Sequence, residues 1–437
     1  MTILIVMALS WLCVFSLNAV PSRTLASDAG NYSRPADSLR VSFITCYPGP
    51  EIYELYGHEA IRIRSNTMDS VWNFGIFDFR EPNFVYRFVK GETDYMVAGY
   101  PFEWFMPEYV ARGSRVVEQE LNLTQAEAMD MLSRLRTLTL PENRRYRYNY
   151  VKNNCATRII CLLDSVASAR VVYPDSVRYA TFREEMRAYN RNYPWYQFGI
   201  DIALGSGIDY PLKAKEEMFV PVEMLRMTGA ARLADGRHLV GRENILYEGR
   251  GDMTLSPTPW YAGPMFWSLV MLAASAAFFV YSLWSRKIVK TVYSLWYFLQ
   301  GVAGLLVAFL VFISVHEATS PNTLILWLNP LQLLMAMAVW WKKTRPVAIA
   351  MAYYNMVAMV CMFVVWPFQH QSANPAFFPL MGCNLLMSLA YAIIAGKESY
   401  INNRLVDSAT SSRKKAGGSA SGKRKSPTKR QRKTTAE

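Results

Sequence analysis

Six cysteines and four histidines are spread over 437 residues, so few side chains are available for nucleophilic or general-base chemistry. The imidazoles are His58, His238, His316 and His370. Cys46, Cys155 and Cys161 fall in the polar N-terminal half, whereas Cys361 and Cys383 lie inside long apolar runs. Cys155 stands out by its flanks: Asn153 and Asn154 precede it, and an apolar helical pattern follows it through Leu163. Asn is a preferred N-cap, so either asparagine would put Cys155 in the first turn of a helix. There the peptide dipoles, together with a nearby imidazole, depress a thiol pKa and make the sulfur a nucleophile. Cys161, among Ile159, Ile160, Leu162 and Leu163, reads as core. Cys46 ends a strand and is either a small buried residue or half of a disulfide with Cys161. Three cysteines in an oxidising compartment cannot all pair, and spacing leaves open which stays free.

His58 lies in Tyr56-Gly57-His58-Glu59-Ala60-Ile61, at the entrance to a strand. A lone His after Gly is more often structural than catalytic, but the Asn-Asn-Cys helix start makes His58 the candidate base for Cys155. The order strand-His, next strand, helix-Cys is that of circularly permuted papain-like folds, which also need a polar group to orient the imidazole. Asn73 on the following strand is the first choice for that role and Asp78 the second; each also reads as turn or cap chemistry. Proton transfer requires the His58 and Cys155 side chains to approach to about 3 to 4 Å. Backbone N–H groups at the start of the Cys155 helix are natural oxyanion donors.

The elements that would carry these residues are of mixed type, giving an α+β domain over Val41–Tyr247. Val41–Cys46, Ala60–Arg64, Val71–Phe77 and Ser114–Leu123 read as strands, and Phe84–Trp104 as an aromatic, partly helical stretch. Thr124 and Glu127 form a capping box for a helix to about Leu138, and Asp235-Gly236 is a hairpin turn. Neither a zinc-ligand spacing nor a Gly-rich phosphate loop is present, which argues against metal hydrolysis and nucleotide use.

The rest of the chain belongs in lipid. The apolar fraction is 52%, and the excess is concentrated in five charge-free runs near 264–284, 291–315, 323–341, 347–366 and 376–396. Each is long enough to cross a bilayer as a helix. Lys and Arg follow the first, third and fifth runs, at Arg286, Lys287 and Lys290, at Lys342, Lys343 and Arg345, and at Lys397. That pattern puts those ends in the cytoplasm and the N-terminal domain outside. Ile3–Leu17 reads as a signal peptide, or alternatively as a sixth span. The net charge of +13 sits mostly in the last 25 or so residues. This Lys/Arg-rich stretch reads as a disordered tail touching anionic headgroups rather than nucleic acid. The domains expected are 1–26 signal or anchor, 27–250 periplasmic domain, 251–262 linker, 263–397 five transmembrane helices and 398–437 cytoplasmic tail.

Taken together, Cys46-Tyr-Pro-Gly, Tyr56-Gly57-His58-Glu59-Ala60-Ile61-Arg62, Trp72-Asn73-Phe-Gly-Ile-Phe-Asp78, Glu118-Gln119-Glu-Leu-Asn122-Leu-Thr124 and Asn153-Asn154-Cys155-Ala-Thr-Arg158 resemble the Lnb-type lipoprotein N-acyltransferases. The resemblance extends through the apolar runs to Ser320-Pro321-Asn322 and Leu328-Asn329-Pro330, but not to the basic tail. It implies a papain-like domain outside the inner membrane, a Cys and His pair, a phospholipid acyl donor and a diacylated lipoprotein acceptor. Cys155 and His58 then become catalytic by resemblance, with no cofactor. Arg158, one helical turn along, is a candidate for the headgroup phosphate, its plainer role being a surface salt bridge. The outer loops, with His316, Glu317 and Asn322 in one and Gln369, His370 and Gln371 in the other, are expected to touch the soluble domain, His316 foremost. The competing readings are a periplasmic papain-like cysteine peptidase or amidase, and a non-catalytic membrane scaffold.

Overall fold

Strand β1 (Arg40–Cys46) is buried on both faces, because it lies mid-sheet with helices above and below. The computed structural model describes residues 38–78, 80–251 and 254–420; the expected signal peptide or anchor and the end of the basic tail lie outside them. β1 is followed by β2 (His58–Arg64), β3 (Asp69–Ile76), α1 (Phe84–Lys90), β4 (Asp94–Pro101), α2 (Phe102–Arg112), β5 (Val116–Leu121) and α3 (Gln125–Leu138). Then come β6 (Arg145–Arg147), α4 (Cys155–Val166), β7 (Val171–Val172), α5 (Phe182–Tyr189), α6 (Pro194–Ala203), α7 (Ala214–Glu217), α8 (Pro221–Ala230), β8 (Arg232–Leu233) and β9 (Val240–Tyr247). The main sheet has the order β6-β4-β3-β2-β1-β5-β9, with antiparallel pairs throughout.

Strand alternation decides which helix each face receives. Val41, Phe43, Ile61, Ile63, Trp72 and Phe74 pack with Met131 and Leu135 of α3 and with Ala156, Ile159 and Leu163 of α4. Ile44, Cys46, Ala60 and Val71 point the other way, onto Phe105 and Tyr109 of α2. α3 begins at the expected box: Thr124 Oγ1 accepts from the Glu127 N–H, and the Glu127 carboxylate accepts from the Thr124 N–H at 2.7 Å. Asp235-Gly236 does make a tight turn, with Gly236 N–H on Leu233 O. The strands beside it, however, join different sheets, β8 to β7 and β9 to β5. The aromatic stretch resolves into α1, β4 and the start of α2.

The sheet-rich domain is followed by a helical one: α9 (Pro264–Ser285), α10 (Lys290–Phe312), α11 (Gln332–Ala338), α12 (Arg345–Val365) and α13 (Phe377–Ala420). Among the described residues, four helices are long and apolar enough to cross a membrane. The expected third span, 323–341, is not one of them. It is a 3-10 turn (Thr323–Leu326), a break at Asn329-Pro330 and the short α11. Proline removes an N–H and crowds the preceding turn, which hydropathy does not register. The segment nevertheless runs antiparallel along α10. Its bonds are Trp327 Nε1 to Gln300 Oε1 at 3.0 Å, Ser294 Oγ to Ala336 O at 2.8 Å and Lys290 Nζ to Trp340 O at 2.9 Å. Asn329 backbone rests directly on Gly304, where a Cβ would lie 2.5 Å from the Asn329 Cα, so only glycine permits the approach. α13 continues to Ala420, past position 398 where a disordered tail was expected. A formed span supplies the helix nucleus, and the following residues contain no proline to stop its extension.

Candidate functional site

The cap of α4 is Asn154. Its Oδ1 accepts from Thr157 N–H at 2.9 Å, and Thr157 Oγ1 accepts from the Asn154 N–H at 2.8 Å. Asn154 Nδ2 also donates to the carbonyls of Tyr150 and Phe219, at 3.0 and 2.8 Å. One buried side chain therefore ties together the loop before Cys155, the helix it starts and the turn between α7 and α8. Asn153 does not cap; its Nδ2 donates to Arg147 O.

Cys155 is 9% exposed. β2 and β3 pair only as far as Ala60 and Asn73, and β3 is bulged between Asn73 and Ile76. At this opening the backbone N–H groups of Glu59 and Ala156 lie near enough to the Cys155 sulfur to favour its thiolate. Burial pushes the thiol up to about 11, outweighing the Glu59 N–H, while the Glu59 carboxyl raises it further. The depressed pKa expected from the helix start is thus reversed by desolvation: at neutral pH the resting group is a thiol.

His58 starts β2 on the side that faces α2, with its ring stacked on Tyr109 at 6.5 Å and 11°. Its Nε2 lies 2.5 Å from Asn73 Oδ1, and Asn73 Nδ2 donates to the Tyr100 hydroxyl at 2.8 Å. An amide oxygen only accepts, so Nε2 carries the proton and Nδ1 keeps a lone pair. Burial lowers the imidazole to about 4, against the Asn73 bond that raises it, and the Arg112 charge lowers it further. His58 is therefore neutral, the form that accepts a proton. Among the described residues no hydrogen bond joins His58 to Cys155: the imidazole lies on the α2 face of the sheet and the thiol packs with the residues of the α4 face.

The other candidates divide. Asp78 is taken by Arg80, with bonds of 2.9 Å to both the guanidinium and the backbone N–H; Asn73 alone of the two orienting candidates reaches His58. Arg158 forms no salt bridge among the described residues; its guanidinium lies over the Tyr146 ring at 4.0 Å and Nη1 reaches Asn153 Oδ1 at 3.2 Å. Cys161 is exposed rather than core, and it forms no disulfide with Cys46. Cys46 pairs in register with His58 but is wholly buried, and burial pushes its thiol well up.

Both outer loops touch the domain. His316 Nε2 donates to Phe88 O at 2.9 Å, and Glu317 is ion-paired with Lys152, three residues before Cys155. Asn322 Nδ2 donates to Ile202 O at 2.9 Å, Gln371 Nε2 to Leu204 O at 3.3 Å and Arg187 Nη1 to Ser372 Oγ at 2.8 Å. Sequence reasoning missed Tyr100, Tyr109 and Lys152. Only Tyr109 left a trace, at helical spacing from Phe102 and Phe105.

These features define a multi-pass membrane protein whose sheet-rich domain carries a Cys at a capped helix start and an Asn-bound His, and is bonded to the loops between its apolar helices. Residues 28–186 match the Lnb N-terminal periplasmic domain and residues 257–399 the Lnb transmembrane domain, together most of the chain. The chain belongs to the Lnb-type, lipoprotein N-acyltransferase-like family, as an inner-membrane protein with a periplasmic domain. No curated protein and no solved structure matches it.

Proposed function

We propose that the protein is a lipoprotein N-acyltransferase that carries the acyl group on Cys155. His58 Nδ1 takes the thiol proton as sulfur attacks the ester carbonyl of a phospholipid. The ester C–O bond then breaks, the leaving lysophospholipid oxygen takes the proton from His58, and a Cys155 thioester remains. The neutral α-amine of a diacylated lipoprotein attacks that thioester, giving a proton to His58, and the thiolate leaves and is reprotonated. N–H groups of Glu59 and Ala156 face the sulfur and are suited to the oxyanion formed in each half.

The observation that carries this reading is a Cys155 thiol at the capped start of α4 together with a neutral His58 fixed by Asn73 at the start of β2, the loop before Cys155 being tied by Lys152 to the outer end of the spans. A peptidase has no need of that tie, and a scaffold has no need of the Asn73 bond. The C-terminus is assigned to the cytoplasm on the Lys/Arg pattern of the loops.

The test is mass spectrometry of a lipoprotein N-terminal peptide from cells carrying the wild type, Cys155→Ser, Cys155→Ala or His58→Ala. Wild type should yield N-acylated peptide and a hydroxylamine-sensitive acyl label on the enzyme; the variants should yield neither, with protein still inserted. Wild-type acyl transfer by Cys155→Ala would exclude the covalent route.

A further inference from the structure

α1 is too short to be stable alone, and it is pinned to the outer end of α10. Val315 N–H donates to Lys90 O at 2.9 Å, Ser314 Oγ to Val89 O at 2.9 Å and His316 Nε2 to Phe88 O at 2.9 Å. Gly91, at φ +81°, lets the chain turn there; a Cβ would lie 3.0 Å from Val315 and 3.2 Å from His316. Held in this way, α1 turns apolar residues outward: Val85 is 73% exposed, Tyr86 54% and Phe88 44%. Tyr86 meets Phe309 of α10 at 5.9 Å, so the exposed side continues the lipid-facing surface of the spans. Trp260 and Tyr261, exposed just before α9, have the character of an interfacial aromatic belt.

From α1 the aromatic rings continue inward. Phe88 meets Phe84 at 6.2 Å, Phe84 meets Phe77 at 5.8 Å, Phe77 meets Tyr95 at 4.9 Å and Tyr95 stacks on Tyr148 at 4.0 Å. Tyr148 in turn lies within electrostatic range of Cys155. Such a run offers continuous ring contact from a span end to Tyr148, in the segment that leads to Cys155, and the exposed outer part of it is unfavourable in water.

We propose that this aromatic run is the acyl-chain site: the fatty chain of an outer-leaflet phospholipid leaves the bilayer over Val85, Tyr86 and Phe88 and lies along Phe84 and Phe77 with its ester at Cys155. The proposal rests on the acyl-transfer reading and names its donor site. α1 is the threshold between lipid and enzyme, and His316 positions it.

The experiment uses the full chain carrying Cys155→Ala, in bilayers of phosphatidylethanolamine with a diazirine at the end of one acyl chain. Photolysis should label residues between Phe77 and Phe88, and Phe84→Ala should lower that labelling about tenfold, as loss of apolar contact in a pocket does. Labels confined to α9–α13 would overturn the proposal. Thioester formation on the wild-type protein, measured in parallel, separates the two ideas. A thioester without labels on α1 removes the chain site and leaves the reaction, whereas labels without a thioester remove the reaction and leave a lipid contact.

Discussion

Asn73 on β3 holds the imidazole of His58 on β2 through a 2.5 Å contact from Oδ1 to Nε2, and is itself held by Tyr100. The bond fixes both the ring's orientation and which nitrogen keeps its lone pair. Asn73→Ala should therefore lower the rate of thioester formation about 100-fold, within the range attributed to positioned proton transfer. Tyr100→Phe should cost much less, because the Asn73 amide keeps its bond to His58. Single-turnover rates with a labelled phospholipid measure both; wild-type speed in Asn73→Ala would remove the orienting role.

The pH profile follows from the same pair. His58 is lowered to about 4 and Cys155 raised to about 11, so a neutral base and a neutral thiol coexist between those values. The imidazolium cannot accept the thiol proton, so kcat/KM for the phospholipid, which reports the first half-reaction alone, should fall as pH drops through about 4 and stay level from about pH 5 to 9. An unperturbed imidazole would put the acid limb near 6.5. Asn73→Asp adds a negative charge beside the ring, favours the imidazolium and should move the acid limb upward.

His316 grips α1 through Phe88 O, whereas His238 is exposed at a turn. His316→Ala should slow acyl transfer from bilayer phospholipid about fivefold, the equivalent of one hydrogen bond of about 1 kcal/mol. His238→Ala should leave it near wild type. Matching activities in the two variants, measured in the same vesicles, would leave the loop as an anchor.

Arg183 is fully buried between Asp201 and Asp209, at 2.8 Å from each. Asp201 also bonds Asn374 of the outer loop at 3.0 Å. Arg183→Met leaves Asp209 without its cation and Asp201 with Arg187 alone, and should cost about 3–5 kcal/mol. The exposed pair Arg134–Asp130 is the control, since Arg134→Met should cost less than about 1 kcal/mol. Denaturant unfolding of the purified proteins compares them.

What the sequence determines by itself is local or compositional. Scarcity singles out His58 and Cys155, the Asn-Asn start and the Thr124–Glu127 box announce helix caps, and charge-free runs bounded by Lys and Arg mark the helical domain. Each signal is carried by neighbours along the chain. The choice of Asn73 over Asp78 depends instead on strand register, which brings residues 58 and 73 together and leaves Asp78 to Arg80. The protonation states of Cys155 and His58 depend on burial, and that is set by everything packed around them; the helix-start argument alone points the wrong way. Hydropathy found residues 323–341 but not their break, because it weighs side chains and ignores a missing backbone N–H. The seat of α1 on His316 joins residues more than two hundred positions apart. Only the folded chain makes that contact, because its free energy comes from hydrogen bonds and buried surface that no local stretch contains.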